Sequence, residues 1–303
     1  MTLKMFLAFN FHLTSKNNFM IPSLHNGVSA LKSFSEGLQV LSNNIANVNS
    51  LGYKSSRANY SDNSYIAQNN PGFAIDGEPK NDTRNFGSGV NVSSLSSNFN
   101  QGVIENTGLD LDFAIEGEAL PNGGGFFEVL DPTSGELFYT RAGSFESTAD
   151  GFVVTRDKNR YQLVNVAGEP LKIGLEEGED LLARRVDQNG VVSLIVSKDG
   201  QDSIRNSDQI KLTNFSAPQY LRRAGNSLFS NGNPGEDLAG IVENPVPATG
   251  SNGKIKQYAL ELSNVDLTNE FAFMISHQRS FQAGSRIVTT SDAILTEAVN
   301  LKR

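Results

Sequence analysis

The chain of 303 residues has no cysteine and no tryptophan. Without cysteine it can form neither a disulfide nor a thiolate metal site, which suits a protein that crosses compartments unfolded and works outside the cell. Without tryptophan it lacks the side chain that β-rich carbohydrate sites lean on to cover a sugar face. Positive charge is also scarce: 25 Lys and Arg stand against 33 Asp and Glu, for a net charge of −8. A face for phosphates needs a clustered basic excess, so this balance argues against nucleic acid as a partner. No stretch approaches the ~18 apolar residues of a membrane span, so no membrane insertion is expected.

Chemistry-bearing clusters are missing as well. The histidines are His12, His25 and His277, scattered over the chain with two of them in helical text, and nothing suggests a triad or a metal cluster. Gly123-Gly124-Gly125 is not followed by the Lys-Ser/Thr of a phosphate loop. Asp187-Gln188-Asn189-Gly190 lacks the second acidic position and the distal Glu of a calcium loop, and reads as a hairpin turn. No catalytic, cofactor-binding or metal-binding residue is expected, and the chain does not read as an enzyme.

What the chain does have is two long apolar stripes, one near each end. In the last 44 residues Leu267, Met274, Phe281, Val288 and Leu295 recur every seven positions, with Phe273, Ile287 and Ile294 on a neighbouring row. Such a repeat keeps one seam of a helix facing a partner. Asp266 or Thr268 can cap its start, and Lys302 and Arg303 sit where the helix dipole favours cations. The alternate heptad positions are assigned to Gln278, Ser285 and Asp292, which makes the seam weak for a free dimer and suited to packing among several neighbours. Near the other end Leu24, Leu31, Leu38 and Ile45 are again spaced by seven, beside Phe34, Leu41 and Val48. Two amphipathic ends separated by unrelated text suggest that the ends pair with each other. An ordinary antiparallel helix pair inside a globular α+β fold would give the same pattern.

Between the ends the text changes twice. From Lys54 to Asn100 it is rich in Ser, Asn and Gly, the composition of an extended arm or of a plain flexible linker. From Gln101 to Leu262 it is β: strand-length runs such as Phe126–Val129, Gly151–Val154 and Val191–Val196 lie between Asp131-Pro132, Asp150-Gly151, Asn189-Gly190 and Asp199-Gly200 turn signals. The expected class is α+β, with long terminal helices pairing as a coiled-coil-like domain and an all-β domain between them. The expected domains are a doubtful extension over residues 1–19, an N-terminal helix and turn over 20–53, an arm over 54–100, a β domain over 101–262 and a C-terminal helix over 263–303. The extension carries Lys4 and a short apolar run, Met5–Phe9, but no cleavage site follows, so it is read as dispensable sequence before a start at Met20.

Three motifs, in a consistent order, resemble those of the bacterial flagellar axial proteins of the rod and hook family. The first is Leu41–Lys54, with Asn43, Asn44, Ile45, Ala46, Asn47, Gly52 and Tyr53 at its centre. The second is Leu111–Gly117 with Gly125–Val129 and Tyr139–Phe145. The third is Leu262–Leu267, including Ser263, Asn264 and Val265, followed by Gln278–Ala283, including Arg279, and Thr289–Asp292. Within the family the tail is most similar to hook proteins. The middle, Tyr161 to Asn214, looks more like the single β domain of rod proteins, and Ala119–Gly124 lengthens a loop.

The resemblance implies a structural subunit that polymerises into the tubular hook or rod, transmits torque and encloses the export channel. It also implies other copies of the chain and neighbouring axial proteins as partners, and the export apparatus as a transient one. The location it implies is the flagellum, at the hook or basal body, reached without a cleaved signal peptide. The assembly seam would be Leu24, Leu31, Leu38, Ile45, Leu267, Met274, Phe281, Val288 and Leu295, with the helices poorly ordered in the free subunit. Distal rod and hook remain alternatives at this point, as does a ligand-binding β domain with helical appendages.

Overall fold

The computed structural model describes residues 21–72, 80–117, 124–174, 180–198, 201–232, 238–242, 246–249 and 252–301. The extension at 1–19, the start at Met20, the loop before Gly124, the Asp199-Gly200 turn and the terminal Lys302 and Arg303 lie outside them. The class is α+β: a helix at each end of the chain and a β-rich middle. The chain divides into two compact units, one of residues 1–43, 56–96 and 268–303, the other of residues 44–55 and 97–267.

The first unit is built on two helices, α1 (Ile21–Ala46) and α2 (Leu267–Asn300). At ~1.5 Å per residue the 34 residues of α2 extend about 50 Å. The helices run antiparallel and touch where their side chains are small. Ser23 Oγ lies 3.3 Å from Ser291 Oγ. A Cβ built on Gly27 would come 2.9 Å from Val288, and one on Gly284 3.3 Å from Leu31. Residues 56–97, read as an arm from their composition, form two ribbons. Ser56–Asp62 pairs with Val90–Ser97, and Tyr65–Gly72 pairs antiparallel with Lys80–Gly87. Apolar residues are few in the first ribbon because polar rungs link its strands: the Asn59 amide donates to Ser94 (3.1 Å) and Ser96 (3.2 Å), and Ser61 to Asn91 (2.6 Å). The ribbon is held to α1 by Ser33 donating to the Val90 carbonyl at 2.9 Å.

The second unit centres on the strand Phe126–Leu130. It lies in a nine-stranded sheet between Leu137–Thr140 on one side and Gln162–Leu163 on the other, and its start also pairs with Leu212–Phe215. Successive strand residues point to opposite faces, so Phe126 and Phe127 enter different cores. Phe127 packs with Phe113, Ile115, Phe145, Leu163 and Leu194 in the larger one. Phe126 packs with Phe99, Tyr139, Phe215 and Phe229 in a smaller aromatic one. A three-stranded sheet, Asp180–Val186, Val191–Lys198 and Gln201–Gln209, turns Val192, Leu194 and Val196 inward. Asp187–Gly190 is the tight hairpin turn joining its first two strands, with Gly190 at φ +79 and its N–H donating to the Asp187 carbonyl at 2.8 Å. The turn expected for that tetrapeptide agrees with this geometry.

Candidate functional site: a buried charge triad and an uncovered helix face

Two features stand out from the rest of the molecule, one in each unit. In the second unit Lys54, Arg141 and Glu261 form an ion triad with all three side chains fully buried. Lys54 Nζ donates to Glu261 Oε1 at 2.6 Å and to the Asn100 carbonyl at 2.8 Å. Arg141 Nη1 reaches Glu261 Oε2 at 3.3 Å, and the Gly102 N–H donates to Glu261 Oε1 at 2.8 Å. Beneath the triad the Arg141 guanidinium stacks 4.9 Å from the Phe126 ring centre, which ties the charges to the aromatic core.

The three charges come from three distant stretches, and each lies in or beside one of the motifs: Lys54 closes Leu41–Lys54, Arg141 lies within Tyr139–Phe145, and Glu261 immediately precedes Leu262. Neighbouring motif residues lock the same place. Tyr53 donates to Asn44 at 3.2 Å, and the Arg223 guanidinium stacks on Tyr53 at 5.0 Å while donating to the Lys54 carbonyl. Asn264 accepts from the Ser55 N–H at 2.8 Å and donates to the Asn98 and Asn100 carbonyls at 2.8 and 3.0 Å. The Gly52 N–H donates to the Glu261 carbonyl at 2.8 Å. Gly52 has φ +62, and a Cβ there would overlap the backbone of Arg141 and Ala142, so no other residue fits. The motif residues Asn44, Gly52, Tyr53 and Asn264 are thus gathered around one knot in this unit, and Asn47, Ser263 and Val265 lie in the same unit near them in the chain. Asn43 and Ala46 lie exposed on α1, and Gln278 and Arg279 are exposed on α2.

Two cations against one carboxylate leave the triad with an excess positive charge in a dry site. Burial, reinforced by the Arg141 charge and opposed by Glu261, brings the Lys54 ammonium down from 10.5 to about 8. The short Lys54–Glu261 contact favours the charged form, and the cost of burying a second cation outweighs it. Burial also lowers Arg141, with Glu261 opposing. Burial alone would raise Glu261, but Arg141 and Lys54 together hold it below its usual range. Between about pH 8 and 10.5 the unfolded chain keeps a Lys54 proton that the folded unit has released, so raising the pH through this window adds stability. Lys54→Met is expected to remove that rise, read as the difference between the two chains' urea midpoints at pH 7.5 and 10. An identical pH dependence in both would refute it. Glu261 has the opposite window: its contribution is present above about 4.5 and is lost as the pH falls through its lower folded value.

In the first unit the expected seam residues divide. Val288 and Leu31 sit at the helix contact, and Leu24, Leu38, Met274 and Leu295 are half-buried. Phe281 is 39% exposed. The alternate positions of the contact are His277, Gly284 and Ser291, three residues after Met274, Phe281 and Val288; Gln278 and Asp292, four residues after, are exposed. Both choices keep a seven-residue period, and only packing distinguishes them. Ile45 and Leu267 fall in the second unit, half-buried and 39% exposed. The row beside the contact, Phe273, Ile287, Ile294 and Leu301, is 49, 46, 57 and 81% exposed, while Phe271 and Ile275, two residues to either side of Phe273, are exposed on another face of the helix. An apolar stripe of that length open to water is the mark of an interaction face.

Among the described residues, no three His, Asp or Glu side chains converge as metal ligands, and no helix is long and apolar enough to cross a membrane. Neither spacing nor motif marks Arg141, Glu261 or Arg223 as site residues in the sequence. The available signal was Glu261 set in the apolar strand Tyr-Ala-Leu-Glu-Leu, since a charge in core text must find a partner.

Comparison with known proteins points one way. Residues 24–54 match the family described as flagella basal body rod protein, residues 121–201 the flagellar hook protein FlgE/F/G D1 domain, and residues 256–301 the flagellar basal body rod FlgEFG protein C-terminal region. The flagellar basal-body rod protein FlgG of Bacillus subtilis is 35% identical over 94% of this chain and 100% of its own length. The protein of the same name from Borreliella burgdorferi is 30% identical over 94% and 100%. The flagellar hook protein FlgE of Borreliella burgdorferi is 31% identical over 62% of this chain and 39% of its own length.

Proposed function

Because the chain belongs to the rod and hook family of flagellar structural proteins, we propose that it is a rod subunit of the flagellar basal body. The observation that carries rod over hook is coverage. The rod relatives align from end to end, whereas the hook relative aligns over 39% of its length and leaves most of itself without a counterpart here. The hook-like tail, Ser263–Phe271, lies in the segment that all these proteins share and does not separate them.

Polymerisation is proposed to run through the terminal helices. α1 and α2 pair as a coiled-coil-like hairpin through Gly27, Leu31, Gly284, Val288 and Ser291, which leaves Phe273, Ile287, Ile294 and Leu301 for neighbouring copies and neighbouring axial proteins. Each large apolar side chain so covered contributes about 1.5–3 kcal/mol. A contact between different faces of successive copies does not close on itself and generates a helical tube. Such a tube would transmit torque and enclose the export channel, through which the chain itself would pass unfolded; the lack of cysteine suits that passage. The experiment is electron microscopy of isolated basal bodies carrying an epitope-tagged copy. Label on the rod is expected, and label confined to the hook would overturn the reading.

A further inference from the structure

We propose that the Tyr60–His277 contact, seated over Gly37, sets the axial register in which α1 and α2 pair. This rests on the helix pairing proposed above. The hydroxyl of Tyr60, on the ribbon strand Ser56–Asp62, lies 2.9 Å from His277 Nε2 on α2. His277 Nδ1 lies 2.9 Å from the Phe273 carbonyl, which can only accept, so Nδ1 carries the proton and Nε2 accepts from Tyr60. Phe34 of α1 packs against both rings, edge-on to His277 at 6.1 Å and tilted to Tyr60 at 6.2 Å. The hydroxyl reaches this place only because position 37 is glycine. A Cβ on Gly37 would overlap the Tyr60 oxygen and lie 2.9 Å from His277 Cδ2.

The apolar repeat of the helix seam does not by itself fix the register; the close fits of Gly27 on Val288 and Gly284 on Leu31 add to whatever does. Leu24, Leu31, Leu38 and Ile45 on α1, and Met274, Phe281, Val288 and Leu295 on α2, recur every seven residues, so a slip of seven places apolar against apolar again. The close-contact row of α2 is just as repetitive: Gly284, Ser291 and Ala298 are all small, and Ser23 could face any of them. His277 is the aromatic member of that row, between Glu270 and Gly284. A repetitive apolar seam is commonly given its register by one polar group that is satisfied in a single alignment. Here the reader of that group is held to α1 independently, because Ser33 and Asn26 of α1 donate to the Val90 and Gly87 carbonyls of the ribbons at 2.9 and 3.1 Å. A slip of one heptad would put Gly284 or Glu270 before Tyr60, with neither the ring packing nor the same hydrogen bond.

Because the chain has no cysteine, register can be read with paired cysteines. Ser23→Cys with Ser291→Cys reports the observed alignment, the two hydroxyls being 3.3 Å apart. Ser23→Cys with Ala298→Cys reports a slip of seven. The full-length chain is cross-linked in assembled basal bodies, and a non-reducing gel separates cross-linked monomer from dimer. With Tyr60 and His277 intact, the 23/291 pair is expected to close and the 23/298 pair to stay open. Adding Tyr60→Ala and His277→Ala is expected to lower the 23/291 yield about fivefold, the scale of one lost hydrogen bond, and to raise the 23/298 yield. Should that chain fail to incorporate, Tyr60→Phe keeps the ring and removes the hydroxyl, and a smaller shift in the same direction is expected. An unchanged 23/291 yield in whichever of these variants assembles overturns the register inference while leaving helix pairing intact. A 23/291 pair that stays open with Tyr60 and His277 intact overturns the pairing and the register together.

Discussion

Ile294→Asp is expected to abolish assembly while leaving the subunit folded, and Ile287→Asp to do the same at some cost to the helix pair, because Ile287 also borders the Gly27 contact. Both side chains are about half exposed on α2, at 46 and 57%. Substitutions at such positions usually change folding stability by no more than about 0.5 kcal/mol. In a polymer that covers the stripe, the same carboxylate would have to be buried without a partner, at several kcal/mol per ion. The contact recurs in every subunit, so the penalty recurs along the whole structure. Phe281→Asp, on the opposite flank of the helix contact at 39% exposure, is expected to block assembly with a larger share of its cost falling on the helix pair. The check is paired: thermal melting of the purified chain by circular dichroism, and rod and hook completion in cells. An unchanged melt with no assembled structure supports the uncovered face as the contact. Swimming cells with complete basal bodies would dismiss it.

Glu261→Ala is expected to destabilise the second unit by about 3–5 kcal/mol, because it strands two buried cations. Against a typical total of 5–15 kcal/mol this is a large share, and for a unit of this size the midpoint falls by on the order of 10 °C. The Gly102 N–H loses its acceptor at the same time. Lys54 can relieve part of the cost by giving up its proton, which burial already favours; Arg141 cannot. Replacing all three by methionine is expected to restore much of the loss, since a buried ion group exchanged for apolar side chains of similar volume is often neutral or stabilising. A Glu261→Ala chain that melts within 2–3 °C of the parent, less than ~1 kcal/mol on the same scale, would show that the triad contributes little.

Much of this protein could be read from one dimension. The two terminal helices were legible because an apolar residue every seven positions is a property of spacing alone. The β-rich middle was legible from strand-length runs cut by Asp-Gly and Asn-Gly turns, and Asp187–Gly190 folds as such a turn. The motif strings around Asn44, Arg141 and Asn264 indicated the family. Residues 54–100 were harder, because their two ribbons are held by Ser and Asn rungs that composition alone cannot tell from a flexible linker. Tertiary structure alone decided the rest. It chose His277, Gly284 and Ser291 over Gln278, Ser285 and Asp292 as the second half of the helix contact, since three-residue and four-residue steps obey the same period and differ only in which side chain meets α1. It also brought Lys54, Arg141 and Glu261 together from positions up to 207 residues apart. Each is an ordinary charged residue in the text, and only burial, by removing water, makes each one depend on the other two.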